Sequence, residues 1–225
     1  MKNFSRPESN INATVHNLSH KPRHIVITCG VLRKELSAWP DRKRFGLEFL
    51  FLPSSLDLDF DRMQKYITRA LQKIHAANTY SRAFVLYGQC HPNIADFVQG
   101  NGGELVHLGN CYEMLLGKTS YRKLLAAGTY FLLPQWAGYW NKVFTKNLGF
   151  NEKIGQIFFP EMHTHACYLD TGFVYKPQFE PQSFTAFTRL DVQIKKLNID
   201  DLYDRLNHTF SHLLKQELLC QETLL

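Results

Sequence analysis

Several features that would assign the chain to a familiar class are absent from its sequence. No apolar run approaches the roughly 20 residues that a membrane-spanning helix requires. The first residues, MKNFSRPESN, lack the apolar stretch of a secretory signal peptide. Both absences favour a cytoplasmic protein without a membrane partner.

The short motifs of common nucleotide-binding and hydrolytic sites are also missing. The sequence contains no G-x-G-x-x-G, no G-x-x-x-x-G-K-[ST] and no G-x-S-x-G. This disfavours nucleotide binding through Gly-rich loops and serine hydrolase chemistry. The formal net charge is +6, but its densest basic cluster beyond the N-terminal stretch, residues 42–44, is typical of a solvated turn and carries no nucleic-acid-binding signature. We therefore expect no nucleic-acid partner.

Disulfide bonds are not expected either. The chain has five cysteines, an odd number, and no two of them form a C-x-x-C pair. Cys167 lies in the apolar stretch ACYL and is typical of a small core residue. Cys220 lies in the C-terminal stretch QELLCQETLL, where we expect it to be unpaired. The other three cysteines each follow a short apolar run.

What the sequence does contain is an alternation of short apolar runs with helical patterns. Examples of the runs are HIVITC, LEFLFL, AFVLYG and TYFLL, each closed by a turn or loop and followed by a helix-like spacing of apolar residues. This alternation predicts an α/β fold: a mainly parallel, Rossmann-like open sheet flanked by helices in a single compact domain. With 225 residues the chain is long enough for one well-buried core, although two small domains remain possible.

Composition suggests the boundaries of the domain. We expect residues 1–23 to form a mobile polar arm, residues 24–217 the α/β domain, and residues 218–225 a C-terminal tail. Residues 173–187 contain two prolines and predict an irregular loop. Ile154 to Phe159 fits either a helix or a strand.

Three cysteines mark the ends of predicted strands. Cys29 ends HIVITC, Cys90 follows AFVLYGQ, and Cys111 follows ELVHLGN. In open α/β folds the carboxyl ends of parallel strands meet at one edge, where ligands bind. The recurrence therefore predicts a site that the three cysteines share.

Three interpretations of these cysteines are open at the level of sequence. As thiolates they are soft ligands suited to zinc, cuprous copper or an iron–sulfur cluster, and three protein ligands leave one position for a substrate. They could instead be buried structural residues, or serve as a nucleophile or a redox pair. Without a C-x-x-C spacing, the local sequence does not separate these interpretations.

His91, Glu113 and Asp170 are candidates for acid–base work, substrate contact or a fourth ligand beside the cysteines. His91 directly follows Cys90, Glu113 lies two residues after Cys111, and Asp170 follows the predicted strand ACYL. Each also fits an ordinary role. His91 suits a helix start, Glu113 suits the dipole of its helix, and Asp170 suits a polar turn.

In these stretches the sequence resembles the bacterial and archaeal family called domain of unknown function 1638. The stretches ITCGVLRKEL, FLPSSLD, VLYGQC, GNCYEMLLG, GTYFLLP and YLDTG occur in the family's order, from about His24 to Leu214. The resemblance implies a compact α/β domain in which Cys29, Cys90 and Cys111 act together. It also implies an association with corrinoid-dependent methyl-transfer systems.

The sequence departs from the family's commoner pattern at three places near the cysteines. Asp57 stands where many relatives have histidine, and His91-Pro92-Asn93 replaces a Gly-rich stretch. Asn110 stands where a histidine commonly precedes the third cysteine. Two imidazole groups are thus missing, which leaves the roles of these flanking positions open.

We therefore expect a cytoplasmic metalloprotein whose three thiolates hold zinc or an iron–sulfur cluster at the carboxyl edge of the sheet. It would act on a small molecule in methyl-transfer, corrinoid or thiol metabolism, and whether it turns over a substrate is left open. The alternative is a non-catalytic accessory module that binds a corrinoid or delivers metal to a partner methyltransferase.

Overall fold

The computed structural model describes residues 23–222, and side chains as far as residue 215. The strands are β1 His24–Cys29, β2 Leu47–Leu52, β3 Arg82–Leu86, β4 Glu104–Leu105, β5 Thr129–Leu132, β6 His165–Asp170 and β7 Val192–Lys196. The helices are α1 Arg33–Ala38, α2 Phe60–Ala77, α3 Ile94–Gly100, α4 Cys111–Leu116, α5 Lys118–Ala126, α6 Pro134–Ala137, α7 Trp140–Lys142, α8 Glu152–Met162, α9 Pro181–Thr188 and α10 Asp200–Glu222. Short 3-10 turns cover Gly30–Leu32, Pro40–Lys43 and Leu56–Leu58, and a π-helical turn covers Val143–Asn147.

Parts of the expected terminal segments lie outside this description. The expected arm lies outside the described residues except for its last residue, Arg23. At the other end α10 continues to Glu222, well into the stretch expected to form a tail. Within residues 23–222, no helix combines the length and the apolar character that a membrane crossing requires.

The strands form two parallel sheets, and helices connect consecutive strands along the chain. The first sheet has the order β2-β1-β3-β4, and the second has the order β5-β6-β7. Every pairing in both sheets is parallel. The predicted α/β class with parallel strands and flanking helices is confirmed. The strands are divided between two sheets because β5 does not pair with β4.

Apolar strands and an amphipathic helix build the first sheet. β1 and β3 are buried along almost their whole length, so they occupy the middle of the sheet. Helix α2 starts after Asp59, whose carboxylate accepts a hydrogen bond from the Arg62 N–H at 2.9 Å. Its buried residues recur at helical spacing and pack on one face of the sheet; they are Met63, Ile67, Ala70 and Leu71.

One hydrophobic core joins the two sheets. Val26 and Phe84 of the first sheet pack in a single buried cluster with Phe131 and Leu169 of the second. Phe210 of α10 completes the contact and is fully buried. Because both sheets bury their residues in the same cluster, the prediction of a single compact domain is confirmed.

Two segments differ from or complete the expectations from sequence. The predicted irregular loop at 173–187 is wrong in its second half, where α9 begins at Pro181. Proline suits the first turn of a helix, and Phe184 and Phe187 then face the core at helical spacing. The ambiguous stretch around Ile154 lies in helix α8.

A buried carboxylate ties α1 to the segment after β6. Glu35 is fully buried, and its two oxygens accept hydrogen bonds from the Thr171 hydroxyl at 2.7 Å and from the Tyr175 hydroxyl at 2.6 Å. Its backbone carbonyl also accepts a hydrogen bond from the Tyr203 hydroxyl of α10 at 3.1 Å. These bonds connect the first sheet's α1 with elements that flank the second sheet.

Tyr175→Phe tests this connection. The change removes one of two donors from a buried carboxylate, so we expect a loss of about 1–3 kcal/mol in the free energy of unfolding, measured by urea denaturation. Tyr66→Phe is the matched control, since the Tyr66 hydroxyl makes no hydrogen bond to another described residue. Equal stability of the two variants would show that the Glu35 connection adds nothing.

Candidate functional site

The three strand-end cysteines lie at the carboxyl edge of the first sheet and line one cavity. Cys29 is the last residue of β1, Cys90 lies in the loop between β3 and α3, and Cys111 is the first residue of α4. The cavity has a volume of about 220 Å³. The structure therefore brings together side chains that are far apart in sequence.

Two glycines allow the loops that carry these cysteines to approach closely. A Cβ atom at Gly88 would lie 2.5 Å from the Asn110 Cα and from the Gly109 carbonyl oxygen. A Cβ atom at Gly30 would lie 2.8 Å from the Leu52 carbonyl oxygen. Real Cβ contacts are not this short, so only glycine lets the Cys90 loop lie against the Cys111 loop in this way.

Aromatic and apolar side chains form most of the remaining cavity wall. The aromatic residues of the wall are Tyr87, Tyr112, Tyr130 and Trp136. Two of these residues come from the half of the chain that forms the second sheet. They are Tyr130 of β5 and Trp136 of α6, and they line the cavity together with the cysteines of the first sheet's edge. Asp57 is the one charged residue among the described residues that line the cavity, which include no Lys, Arg or His.

Asp57 lies in the 3-10 turn that follows β2. As a residue it is exposed to solvent, yet it also lines the cavity, which places it at the mouth. Desolvation raises the pKa of its carboxyl group, and hydrogen bonds from its own N–H and from the Leu58 N–H partly offset this. A positive charge in the cavity would therefore stabilise the ionised carboxylate.

Burial raises the pKa of all three cysteine thiols. Desolvation raises the pKa of Cys29 to about 12, raises that of Cys90, and holds that of Cys111 well above its ordinary value. The nearby Asp57 carboxylate raises all three further. Each sulfur also accepts one backbone hydrogen bond, which lowers its pKa; the donors belong to Val31, Gly88 and Tyr112. In the absence of a bound cation, the thiols are therefore neutral at pH 7.

One polar atom of the cavity has no partner. The Tyr87 hydroxyl is buried and makes no hydrogen bond within the described part of the chain. Desolvation raises the pKa of this hydroxyl, and the ionised forms of Cys29, Cys90 and Asp57 raise it further. A buried hydroxyl without a partner costs free energy.

His91 lies outside the cavity wall. It is buried, and its Nδ1 accepts a hydrogen bond from the Asn93 N–H at 3.0 Å. Its ring packs edge-on between Phe60 and Phe97, with centroid distances of 5.4 and 5.0 Å. These contacts match the ordinary role at a helix start, and a role beside the thiols stays a prediction.

Glu113 and Asp170 also lie apart from the cavity wall. The side chain of Glu113 lies over Gly109 and faces a separate surface groove that includes Lys118 and Arg122. Asp170 ends β6, and its Oδ1 accepts a hydrogen bond from the Gly172 N–H at 3.0 Å. Catalytic roles for both likewise stay predictions.

The cavity wall includes functional candidates that the sequence did not single out. Asp57 was noted only as a departure from relatives, although it follows a strand just as the cysteines do. Tyr87 and Tyr130 lie at or within apolar runs and carry no local signal that distinguishes them from core residues. Trp136 follows β5 by a few residues, which is the one signal that could have pointed to it.

The three thiols are suitable metal ligands, but the described residues do not form a ready-made metal site. Among the described residues, no group of three or more His, Cys, Asp or Glu side chains is arranged to hold a metal ion as it stands. The donor set itself is appropriate, because three soft sulfur atoms share a cavity that no cationic side chain of the described wall neutralises.

Gly88→Ala tests whether close packing of the loops holds the site together. The added methyl group clashes with the backbone of Gly109 and Asn110, so we expect a loss of about 1–3 kcal/mol in stability, seen as a lower melting temperature. Gly100→Ala is the control, since a Cβ atom there meets nothing within 4 Å and should leave melting unchanged or slightly raised. Equal melting of the two variants would contradict the proposed constraint.

Comparisons with known proteins place the chain in a family. No curated protein matches its sequence. A solved structure of a proposed Asp/Glu racemase from Yersinia pestis is similar with a TM-score of 0.34 and 8% identity, covering 85% of this chain and 99% of that one. A likeness of this size carries no inference about activity. The family described as "Protein of unknown function (DUF1638)" matches residues 51–206, a span that contains Cys90 and Cys111 and begins after Cys29. The chain therefore belongs to the DUF1638 family.

Proposed function

We propose that the chain holds a thiolate-ligated metal centre with Cys29, Cys90 and Cys111 and acts on a small molecule in the adjoining cavity. The observation that carries the proposal is that three thiols from three separate loops line one cavity. Its size suits a small-molecule site rather than a macromolecular one.

The electrostatics of the cavity favour a metal over a free thiol nucleophile. A catalytic cysteine is activated by a lowered pKa, from a neighbouring cation or a base. Here desolvation and the Asp57 carboxylate raise the pKa of all three thiols, and no described residue of the wall supplies a positive charge. A metal supplies that charge directly, and binding of a metal releases the thiol protons.

Among metal centres, we propose an iron–sulfur cluster first and a single zinc ion as the alternative. Zinc requires its sulfur ligands to converge at about 2.3 Å from one point. The three thiols line one cavity, and a single ion would need them to move together around one point. In a cluster each thiolate binds a different iron, so the ligands stay farther apart. A cluster held by three cysteines would supply one iron with an open position for a substrate.

The chain's own groups have definable tasks around such a centre. Backbone hydrogen bonds to the three sulfur atoms stabilise the thiolate form and thereby tune the centre. Tyr87 lines the cavity, and its hydroxyl is buried beside it. Asp57 at the mouth contributes negative charge.

A corrinoid does not fit inside the cavity that the three cysteines line. At about 30 Å³ per water, a cavity of about 220 Å³ holds the volume of only about seven waters. A corrin macrocycle is several times larger and would have to bind outside this cavity. The accessory role with a corrinoid or a methyltransferase partner therefore stays a prediction that no particular contact favours.

The proposal is tested by the metal content and visible spectrum of anaerobically prepared protein reconstituted with iron and sulfide. We expect broad visible absorbance, which each of Cys29→Ser, Cys90→Ser and Cys111→Ser reduces several-fold. The Cys90/Cys111 double variant should be little worse than either single one, because ligands of one centre are not additive.

Cys167→Ser is the control for this experiment, since Cys167 is buried in β6 away from the cavity and should retain iron in its folded fraction. A colourless protein that binds zinc through the same three cysteines would replace the cluster with zinc. Full metal content in any one of the three cavity variants would remove that cysteine from the shared site.

A further inference from the structure

Two aromatic rings form an angled wall at the end of the cavity that the second sheet supplies. The rings of Tyr130 and Trp136 have centroids 6.5 Å apart and planes inclined by 57°. Both residues line the cavity, together with Tyr112, whose ring stacks on Phe131 at 5.2 Å. Rings fixed at an angle to each other form the kind of corner that accepts a rounded group against several π faces.

The charge of the cavity has one sign. Asp57 carries the sole formal charge of the described wall, and it lines the same cavity as the rings of Tyr130 and Trp136. An anionic ligand would meet this charge without any cationic partner and would be strongly disfavoured. Thiolates around a metal would add further negative charge.

The size of the cavity bounds the ligand. A volume of about 220 Å³ corresponds to about seven waters, which suggests a molecule of about seven to ten non-hydrogen atoms. The hydroxyl-bearing residue Ser54 lines the cavity together with the apolar and aromatic side chains and adds a hydrogen-bonding group to the wall. A small ligand with a positive charge and one hydroxyl would satisfy each of these features.

We propose that the cavity binds a small organic ammonium ion, with Asp57 as its counter-ion and the rings of Tyr130 and Trp136 as its aromatic walls. The ammonium group would be attracted to the negative ring faces and to the carboxylate at once. This names the substrate class for the site proposed above and rests on that proposal for its chemistry. The preference for a cation comes from the rings and Asp57, which are present with or without a metal.

The test compares three probes of similar size by isothermal titration calorimetry. Choline carries the ammonium group and a hydroxyl, 3,3-dimethylbutan-1-ol is its neutral carbon isostere, and glycine betaine adds a carboxylate to the ammonium group. We expect choline to bind at least about tenfold more tightly than either of the others. Equal binding of choline and the neutral isostere, or no binding of choline, would overturn the proposal.

Two variants assign the preference to the named residues. Asp57→Asn should weaken choline at least about tenfold while leaving the neutral alcohol unchanged, and Trp136→Leu should also weaken choline. Asp61→Asn is the matched control, because Asp61 is exposed on α2 and does not line the cavity. Unchanged choline binding in Asp57→Asn would overturn the role of the carboxylate.

Metal content measured in the same preparations separates the two proposals. Selective choline binding by protein that takes up no iron or zinc would support the ammonium site and remove the metal centre. Metal uptake through the three cysteines without selective choline binding would support the metal centre and remove the ammonium site.

Discussion

The close approach of backbone at Gly88 to backbone at Gly109 and Asn110 is the constraint on which the site depends. Parallel pairing of β3 with β4 brings the ends of these strands to the same edge, but pairing alone leaves room between the loops that follow them. Because Gly88 has no side chain, the two loops can pack directly against each other. Cys90 and Cys111 then line the same cavity, which Cys29 joins because β1 lies beside β3.

The second sheet turns this edge into an enclosed cavity. β5 does not extend the first sheet, and its Tyr130, with Trp136 of the helix that follows it, instead lies across the cavity from the cysteines. The relative position of the two halves is held by the shared apolar core and by the buried Glu35, whose partners follow β6. Residues that never touch the cavity therefore determine whether it is closed.

The sequence predicts the parts of this arrangement that follow from the order of neighbouring residues along the chain. The apolar runs, their parallel pairing and the cysteines after them are readable because each strand and its exit loop are contiguous. The division into two sheets is not readable, since it depends on which strands pair. Tyr130 and Tyr87 were missed for the same reason: only tertiary contacts distinguish a ring beside a cavity from a ring in the core. His91 is the opposite case: it directly follows Cys90 in sequence, whereas its ring packs between Phe60 and Phe97, and its role beside the thiols stays a prediction.

The charges of the site make its occupants interdependent. Three neutral thiols and a desolvated carboxylate form a cavity whose wall, as far as the structure describes it, has no positive side chain. A cation bound in the cavity would therefore favour the ionised forms of the thiols and of Asp57. A metal would favour the ionised form of the sulfur atoms, and an ammonium ion would favour that of Asp57. Both would reduce the free-energy cost of negative charge in the cavity.

Binding of one cation would affect binding of the other. The first cation to bind neutralises part of the negative charge, so the second gains less from it. Direct neutralisation thus opposes cooperativity between them, whereas deprotonation of the thiols by the metal restores negative charge and favours it. The sign of the coupling therefore reports whether neutralisation by the first cation or deprotonation of the thiols has the larger effect.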